Sequence, residues 1–336
     1  MSMSTVVINV IGDVFVDIIA SGLEAIPEWE KDTLATIRTF PGGSALNTVM
    51  HFTHYCQYNR VEDENNAEKI SIALYSAVGN DHFGKFCINA LNEVGPTLQN
   101  KVQIHVRQRS GSCIVLSGNK GRGFVTDRGV INNFQLDCWA ASDFLSSSLR
   151  HTHIAGYYNC RRMRVGLLEL LQSIQAAGQT ISVTPQWDAD EVWDGIREIA
   201  SCITYLIANE KETCKVAHHE SLEAAIDVLL KEYGIVSVIV TQGANGATLY
   251  ILDEDKLNVK SYHVPGLPNV MVVDTTGAGD AFVAGILHYV VNNDVNLSDE
   301  SCIQAMLQNG CKLGAAACTT ISGSSAPSTY MSTTTT

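Results

Sequence analysis

The chain has 336 residues, 46% hydrophobic and 17% charged, with a formal net charge of −13. That length suits one large domain or two ordinary ones, and the apolar share is enough for a substantial core. No basic stripe is present, so no nucleic-acid partner is expected, although backbone N–H groups can bind phosphates even in an acidic protein. The N-terminus lacks a charged region ahead of an apolar stretch, and no apolar run reaches the roughly 20 residues that span a bilayer. The ten cysteines include no CxxC pair, which gives no sign of a zinc ribbon or a thioredoxin-like centre. A cytoplasmic protein with reduced thiols and no membrane segment is expected.

In chain order, residues 6–11 (VVINVI) read as a buried strand that Gly12-Asp13 ends. Residues 18–40 hold a polar turn at 27–32 and an alternating stretch at 33–40, the pattern of a small antiparallel element. PGGSALNT follows at 41–48. Gly42 and Gly43 let a small polyol approach the backbone, and a helix begins just after them. Asn47, about one turn in, offers a donor and an acceptor to hydroxyls. His51, His54 and Cys56 lie on this helix, but no fourth ligand has zinc-site spacing. Residues 60–69 are a polar, acidic loop. A strand at 72–78 leads into GNDHFG and a helix. The stretches 102–106, 111–116 and 123–127 alternate and read as antiparallel edge strands. GNKGRG at 118–123 matches neither GxGxxG nor the Walker pattern and reads as a hairpin turn. Arg128 follows the last of these strands.

From His151 the pattern becomes regular. Strands at 153–156, 180–184, 205–208 and 236–240 alternate with helices at 164–175 and 193–200, which argues for a parallel sheet covered on both faces. NEKE stands at 209–212 and TQGANG at 241–246, each after a strand. NVMVVDTTGAGDAF then occupies 269–282. Its residues 270–273 are apolar and β-branched and read as a buried strand. Gly277-Ala278-Gly279 make a turn of small residues, and 281–291 read as a buried helix. A strand, a glycine turn and a helix N-terminus make an anion site, where unpartnered N–H groups and the helix dipole favour negative charge. Asp280, just past the turn, is placed to take a proton from a hydroxyl attacking a phosphate. After a polar break at 292–300 comes a helix around 302–318. Residues 328–336 lack apolar periodicity, and the terminal threonines are expected to be disordered.

DTTGAGDAF at 274–282 resembles, without a break, the C-terminal signature of the PfkB (ribokinase-like) family of sugar and nucleoside kinases. PGGSALNT resembles the N-terminal signature, a Gly-Gly pair followed four residues later by Asn. VGNDHFG resembles the family's VGxDxFG turn, NEKE its Asn-x-x-Glu motif, and TQGANG its T-x-G-x-x-G strand end. The resemblance spans residues 6–326. It implies one domain over 1–326, built as an α/β/α three-layer sandwich with a mostly parallel central sheet. A small β-sheet lid would come from about 18–40 and 102–127, and 327–336 would be a disordered tail. It also implies ATP and Mg2+, a small-molecule sugar or nucleoside as acceptor, and room for a lid-to-lid homodimer.

Carried over position by position, Asp280 would be the catalytic base, and Gly277, Ala278 and Gly279 the anion hole. Asp13, with Asp17 as the fallback, would hold the acceptor together with Gly42, Gly43, Asn47 and Arg128. Asn209 and Glu212 would order Mg2+ and phosphate through water. Thr241, Gly243, Gly246 and Thr276 would meet the nucleotide phosphates, with Asn309 and Lys312 on the adenine side. Asp274 and Thr276, with the loop 322–326, would take a monovalent cation such as K+. Thr184 departs from the family, which commonly has Asp before Pro185.

The expected reaction is phosphoryl transfer from ATP to a primary hydroxyl of a sugar, of ribokinase or fructokinase type. A nucleoside kinase of the same fold stays open; a base needs an apolar or aromatic cleft and a free sugar mostly polar contacts, and the sequence around Phe15, Trp29 and Phe124 could line either. A non-catalytic ligand-binding relative is the third reading. No GxSxG elbow appears, and the first strand ends without a dinucleotide glycine fingerprint.

Overall fold

A strand covered on both faces must be apolar nearly throughout, and β1 (Thr5–Gly12) meets that demand. Ile8 and Val10 pack into one helical layer and Ile11 into the other. The structure, a computed structural model, describes residues 5–62, 70–118, 121–327 and 330. After β1 the chain leaves for β2 (Phe15–Leu23) and β3 (Thr36–Gly42). It returns through α1 (Ser44–Glu62) to β4 (Ile70–Tyr75) and the short β5 (Ala77–Gly79). Then come α2 (His82–Glu93), β6 (Leu98–Asn100), β7 (Gln103–His105), and a hairpin of β8 (Gly111–Gly118) and β9 (Gly121–Asp127). The alternating part holds α3 (Ala141–Phe144), β10 (His151–Ala155), α4 (Leu167–Ala176), β11 (Thr180–Val183), α5 (Ile196–Ile199) and β12 (Tyr205–Asn209). It continues with α6 (Glu210–Val216), α7 (Leu222–Asp227), β13 (Ser237–Thr241), β14 (Ala247–Leu252) and β15 (Val259–Val264), and α8 (Ala278–Asn292) and α9 (Glu300–Ala317) follow.

Nine strands form one sheet in the order β15-β14-β13-β12-β11-β10-β1-β4-β6. It is parallel from β6 to β13, and β14 and β15 add an antiparallel edge. Residues of α1, α8 and α9 pack on one face and residues of α4 to α7 on the other, giving the three layers expected. β1 lies between β4 and β10, so the strand order reverses there. Open α/β sheets bind ligands at the carboxyl ends of the strands beside such a switch.

The lid is a second sheet, in the order β3-β2-β8-β9. Its outer pairs are antiparallel, while the central pair, β2 and β8, runs parallel. Asp17, Cys113 and Thr126 share one register row, and Ile18, Ile114 and Val125 share the next, on the opposite face. Residues 103–105, expected as a further antiparallel strand, pair in parallel with β5 instead.

Other departures have physical reasons. Residues 270–273 form no strand, and Met271, Val272 and Val273 are exposed. The β14–β15 hairpin already closes that sheet edge, and the Val273 N–H bonds the carbonyl of Cys318 beyond α9. Trp193, expected to open a helix, has a left-handed φ of 58°, so the helix contracts to α5. Tyr330, within the tail read as disordered, is buried against Tyr55 and Tyr58 of α1, with ring centroids 4.9 and 5.1 Å away. The rest of that tail (328, 329 and 331–336), the loop 63–69, and residues 119 and 120 of the hairpin turn lie outside the described residues. Among the described residues no helix is long and apolar enough to cross a membrane.

His151 and His153 on β10 are fully buried. The ring nitrogens of His151 meet the hydroxyls of Thr180 and Ser182 at 2.7 Å, and His153 Nδ1 meets the same Ser182 hydroxyl at 2.7 Å. Burial pushes both imidazoles down to about 3, so both are neutral in the fold. The unfolded chain takes up these protons near pH 6.5, so their contribution to stability is complete above that pH and is lost as pH falls toward 3. His153→Asn keeps a polar group that cannot be protonated. It is expected to lose less stability than the wild type between about pH 7 and pH 5, read from denaturant midpoints at the two values.

Candidate active site

Neighbouring strands deliver polar residues to one edge of the sheet: Asp13 after β1, Asn159 after β10, Gln186 after β11, Asn209 at the end of β12 and Thr241 at the end of β13. Facing them is the start of α8. Gly277, its N-cap, has φ +74°, and a Cβ there would overlap the backbone of Gly323. The first-turn N–H groups of α8 lack intrahelical acceptors and carry the positive end of the helix dipole.

Asp280 sits in that first turn and is 7% exposed. Its Oδ1 accepts from Ser44 Oγ at 2.7 Å and from Gln186 Nε2 at 3.3 Å, and its Oδ2 accepts from Asn47 Nδ2 at 2.8 Å. Ser44 and Asn47 lie in the first turn of α1, so the two glycine motifs meet across 233 residues of chain. Burial raises the Asp280 pKa to about 7; the bonds from Asn47 and Ser44 oppose this, and the charge of Asp13 adds to it.

Asp13 and Asp17 both reach this crevice, and their oxygens are used differently. Asp13 Oδ2 accepts from Asn159 Nδ2 at 2.7 Å and Oδ1 from the Ala45 N–H at 3.2 Å. Gly156, with φ +62°, packs so close that a Cβ would stand 2.7 Å from the Asp13 carboxylate. Burial raises the Asp13 pKa. Asp17 is also buried, and its carboxylate accepts no hydrogen bond from any described residue. Burial lifts its pKa to about 7, aided by the charges of Asp13, Asp280 and Asp274. It abuts Gly42, where any Cβ would overlap it. Asp13 thus has one donor on each oxygen, and Asp17, the fallback in the sequence, has none among the described residues.

The lid brings Arg122, which the sequence reading passed over. Its Nη1 donates to Thr276 Oγ1 at 2.8 Å and lies 3.8 Å from Asp274 Oδ1. Asp274 Oδ1 also accepts from the N–H and the hydroxyl of Thr276 at 2.9 and 2.8 Å, and Oδ2 from the Ser322 N–H at 3.1 Å. A signal existed. Counting by two from Thr126 puts Arg122 on the lid face that carries Asp17.

The remaining expected residues have these contacts. Arg128 pairs with Asp190 at 3.0 Å, and Arg161 pairs with the same carboxylate. Asn209 Oδ1 accepts from the Glu212 N–H at 3.0 Å and Glu212 Oε2 from the Asn209 N–H at 3.2 Å, a reciprocal cap on α6. Burial raises the Glu212 pKa. Thr241 Oγ1 lies 3.5 Å from the Ala208 carbonyl. Gly243 and Gly246 have left-handed φ, and Gly246 is pressed against the Val264 carbonyl. Asn309 bridges the Tyr55 hydroxyl at 3.0 Å and the Gly285 carbonyl at 2.7 Å, while Lys312 stands 5.5 Å over the Tyr55 ring. Thr184 is buried with its hydroxyl unpartnered among the described residues.

Gly277→Ala would force a side chain into both a left-handed φ and the Gly323 backbone. The expected loss is about 1–3 kcal/mol of stability, read by thermal unfolding, together with the geometry of the turn.

The pfkB family carbohydrate kinase model matches residues 8–329 of this chain. The fructokinase of Vibrio alginolyticus is 26% identical over 286 residues, which cover 83% of this chain and 82% of that protein. The ribokinase of Arabidopsis thaliana, solved with ribose and ATP, superposes with a TM-score of 0.72 at 19% identity, covering 97% and 96% of the two chains. A ribokinase II from E. coli in complex with ATP and Mg2+ gives a TM-score of 0.73 at 21% identity, covering 96% of each chain. The two structural likenesses establish a ribokinase-like fold. With the family match over nearly its whole length, the chain belongs to the pfkB family of carbohydrate kinases.

Proposed function

We propose that this protein transfers the terminal phosphoryl group of ATP to a hydroxymethyl group of a small sugar, as a ribokinase or fructokinase does. The observation that carries this reading is the buried Asp280 carboxylate, held by α1 beside the anion turn of α8. Asp280 takes the proton of the acceptor hydroxyl as its oxygen forms the new bond to phosphorus, and ADP leaves. The N–H groups of Gly277, Ala278 and Gly279 stabilise charge on the transferring group. Arg122 turns from Thr276 toward the phosphoryl oxygens, and lid closure excludes water that would compete with the sugar.

Asp17 binds acceptor hydroxyls with Gly42, Gly43 and Asn47, while Asp13 braces the wall behind them and Arg128 its outer side. The ATP phosphates follow the strand ends past Asn209, Thr241, Gly243 and Gly246 to Thr276, and Asn309 lies on the adenine side. Among the described residues no three Asp, Glu, His or Cys side chains converge as a metal cage. Mg2+ fits such a site, since it retains several waters and needs one or two carboxylates beside the phosphates. Glu212 would hold it through water, and the ion would neutralise charge between the phosphates. K+ fits less well: the Asp274 oxygens already receive three hydrogen bonds, and the Arg122 cation stands beside them.

A sugar is the leading reading over a nucleoside because of the family match and the fructokinase relative, while Phe124, exposed on the lid face that carries Asp17 and Arg122, is the aromatic residue placed to meet a base. Phe15 is buried in the core and Trp29 is 96% exposed. A homodimer fits the outer face of the lid, where Ile37, Ile114 and Val125 are exposed. A second copy covering this face would give a dimer in sedimentation velocity that Ile114→Lys converts to monomer, whereas a monomeric wild type would rule it out.

ADP release with Mg-ATP against ribose, fructose, 2-keto-3-deoxygluconate, adenosine, inosine and cytidine tests the activity. Turnover on a sugar is expected; turnover on nucleosides alone would change the acceptor, and silence with intact ATP binding would leave a ligand-binding relative. Asp280→Asn should lower kcat by about 10²–10⁴-fold without loss of ATP affinity. Because the base must be ionised, kcat/KM should fall about tenfold per unit below pH 7 and level off above it.

A further inference from the structure

A carboxylate offers two lone-pair directions on each oxygen. On Asp280, Oδ1 receives both the Ser44 hydroxyl and the Gln186 amide, whereas Oδ2 receives Asn47 alone among the described residues. Oδ1 is therefore saturated, and one lone pair of Oδ2 stays open.

Gln186 reaches Asp280 from an unusual backbone, with a left-handed φ of 59°. Non-glycine residues adopt that conformation at a cost, and it persists where the surroundings over-determine it. They do so here. The N–H groups of Tyr157 and Tyr158 bond the carbonyls of Thr184 and Pro185 at 3.2 and 3.1 Å. The Asp188 carboxylate then accepts from the N–H groups of Asp190, Val192 and Trp193 at 3.1, 3.0 and 2.8 Å. Trp187 packs edge-on against Trp193, with centroids 4.9 Å apart. Both sides of Gln186 are thus pinned, and its amide is delivered to one oxygen of one carboxylate.

We propose that Gln186 is a positioning residue for the catalytic base: it closes Oδ1 and leaves Oδ2 as the oxygen that takes the acceptor's proton. In that step the acceptor O–H bond breaks, an Oδ2–H bond forms, and the electron pair left on the acceptor oxygen makes the bond to phosphorus. The inference rests on the reading of Asp280 as base.

The test titrates Asp280 directly, without substrate, in protein labelled with 13C at the aspartate carboxyls; the signal is assigned by its absence in Asp280→Asn. The other charges that act on this carboxylate are Asp13, Asp17 and Glu212, and none of them is altered. Gln186→Gly removes the amide and also relieves the left-handed strain, so it should melt at or above the wild-type temperature. Gln186→Met removes the amide at similar length. Each takes a donor away from the ionised form, so the Asp280 midpoint should rise by about half a pH unit or more, and further in Gln186→Glu, which adds a like charge. With a sugar that turns over, the acid limb of kcat/KM should move by the same amount while KM for ATP stays within about twofold. A midpoint within about 0.2 unit of the wild type in both folded variants would overturn the proposal. Full turnover in Asp280→Asn would instead overturn the base, and the functional reading with it.

Discussion

The structure around the site depends on keeping one carboxylate out of water. A buried carboxylate without hydrogen-bond donors is strongly unfavourable, so the fold must bring donors to Asp280 from elsewhere in the chain. Two come from the first turn of α1 and one from the loop after β11. That requirement sets the close approach of α1 and α8 on one face of the sheet. It also explains the small residues at their ends. Ala45 and Ala281 are fully buried, and Gly43 and Gly277 turn the chain in conformations that side chains resist.

The same crevice holds Asp13 and Asp17, with Asp274 near the lid. Burial raises the pKa of Asp13 and of Asp17, and on Asp17 the charges of its neighbours act in the same direction. The hydrogen bonds divide these groups by task. Asp13 joins the end of β1 to the segment after β10 and to α1 through one donor on each oxygen, Asp274 ties the turn before α8 to the segment after α9, and Asp17 receives no donor among the described residues. Arg122 is the guanidinium that meets Asp274 from the lid.

What could be read in the sequence follows from how local each signal is. The glycine turn into α8 was legible because its parts are adjacent: two glycines, a carboxylate and a long apolar helix. The parallel sheet was legible because strands buried on both faces carry no polar alternation. Residues 270–273 were misread because an apolar run says nothing about whether a partner strand is free, and β15 had taken the edge. The different hydrogen bonding of Asp13 and Asp17 turns on Asn159, 146 residues from Asp13, and the placement of Arg122 on Thr276, 154 residues away. Neither separation leaves a trace in spacing. Asn209 and Glu212 were legible as a pattern, and their reciprocal bonds make a helix cap without excluding a second use.

The parallel pair at the centre of the lid has a mechanical consequence. β2 follows β1 directly and β3 runs straight into Gly42, while β8 and β9 arrive from a different excursion of the chain. The lid is therefore no detachable flap on a single hinge. Four chain crossings anchor it, and one of them leads straight into the strand that carries Asp17. Tilting this sheet as a stiff plate would move Arg122 and Asp17 together, so the contacts that both residues make in the crevice would change in one stroke.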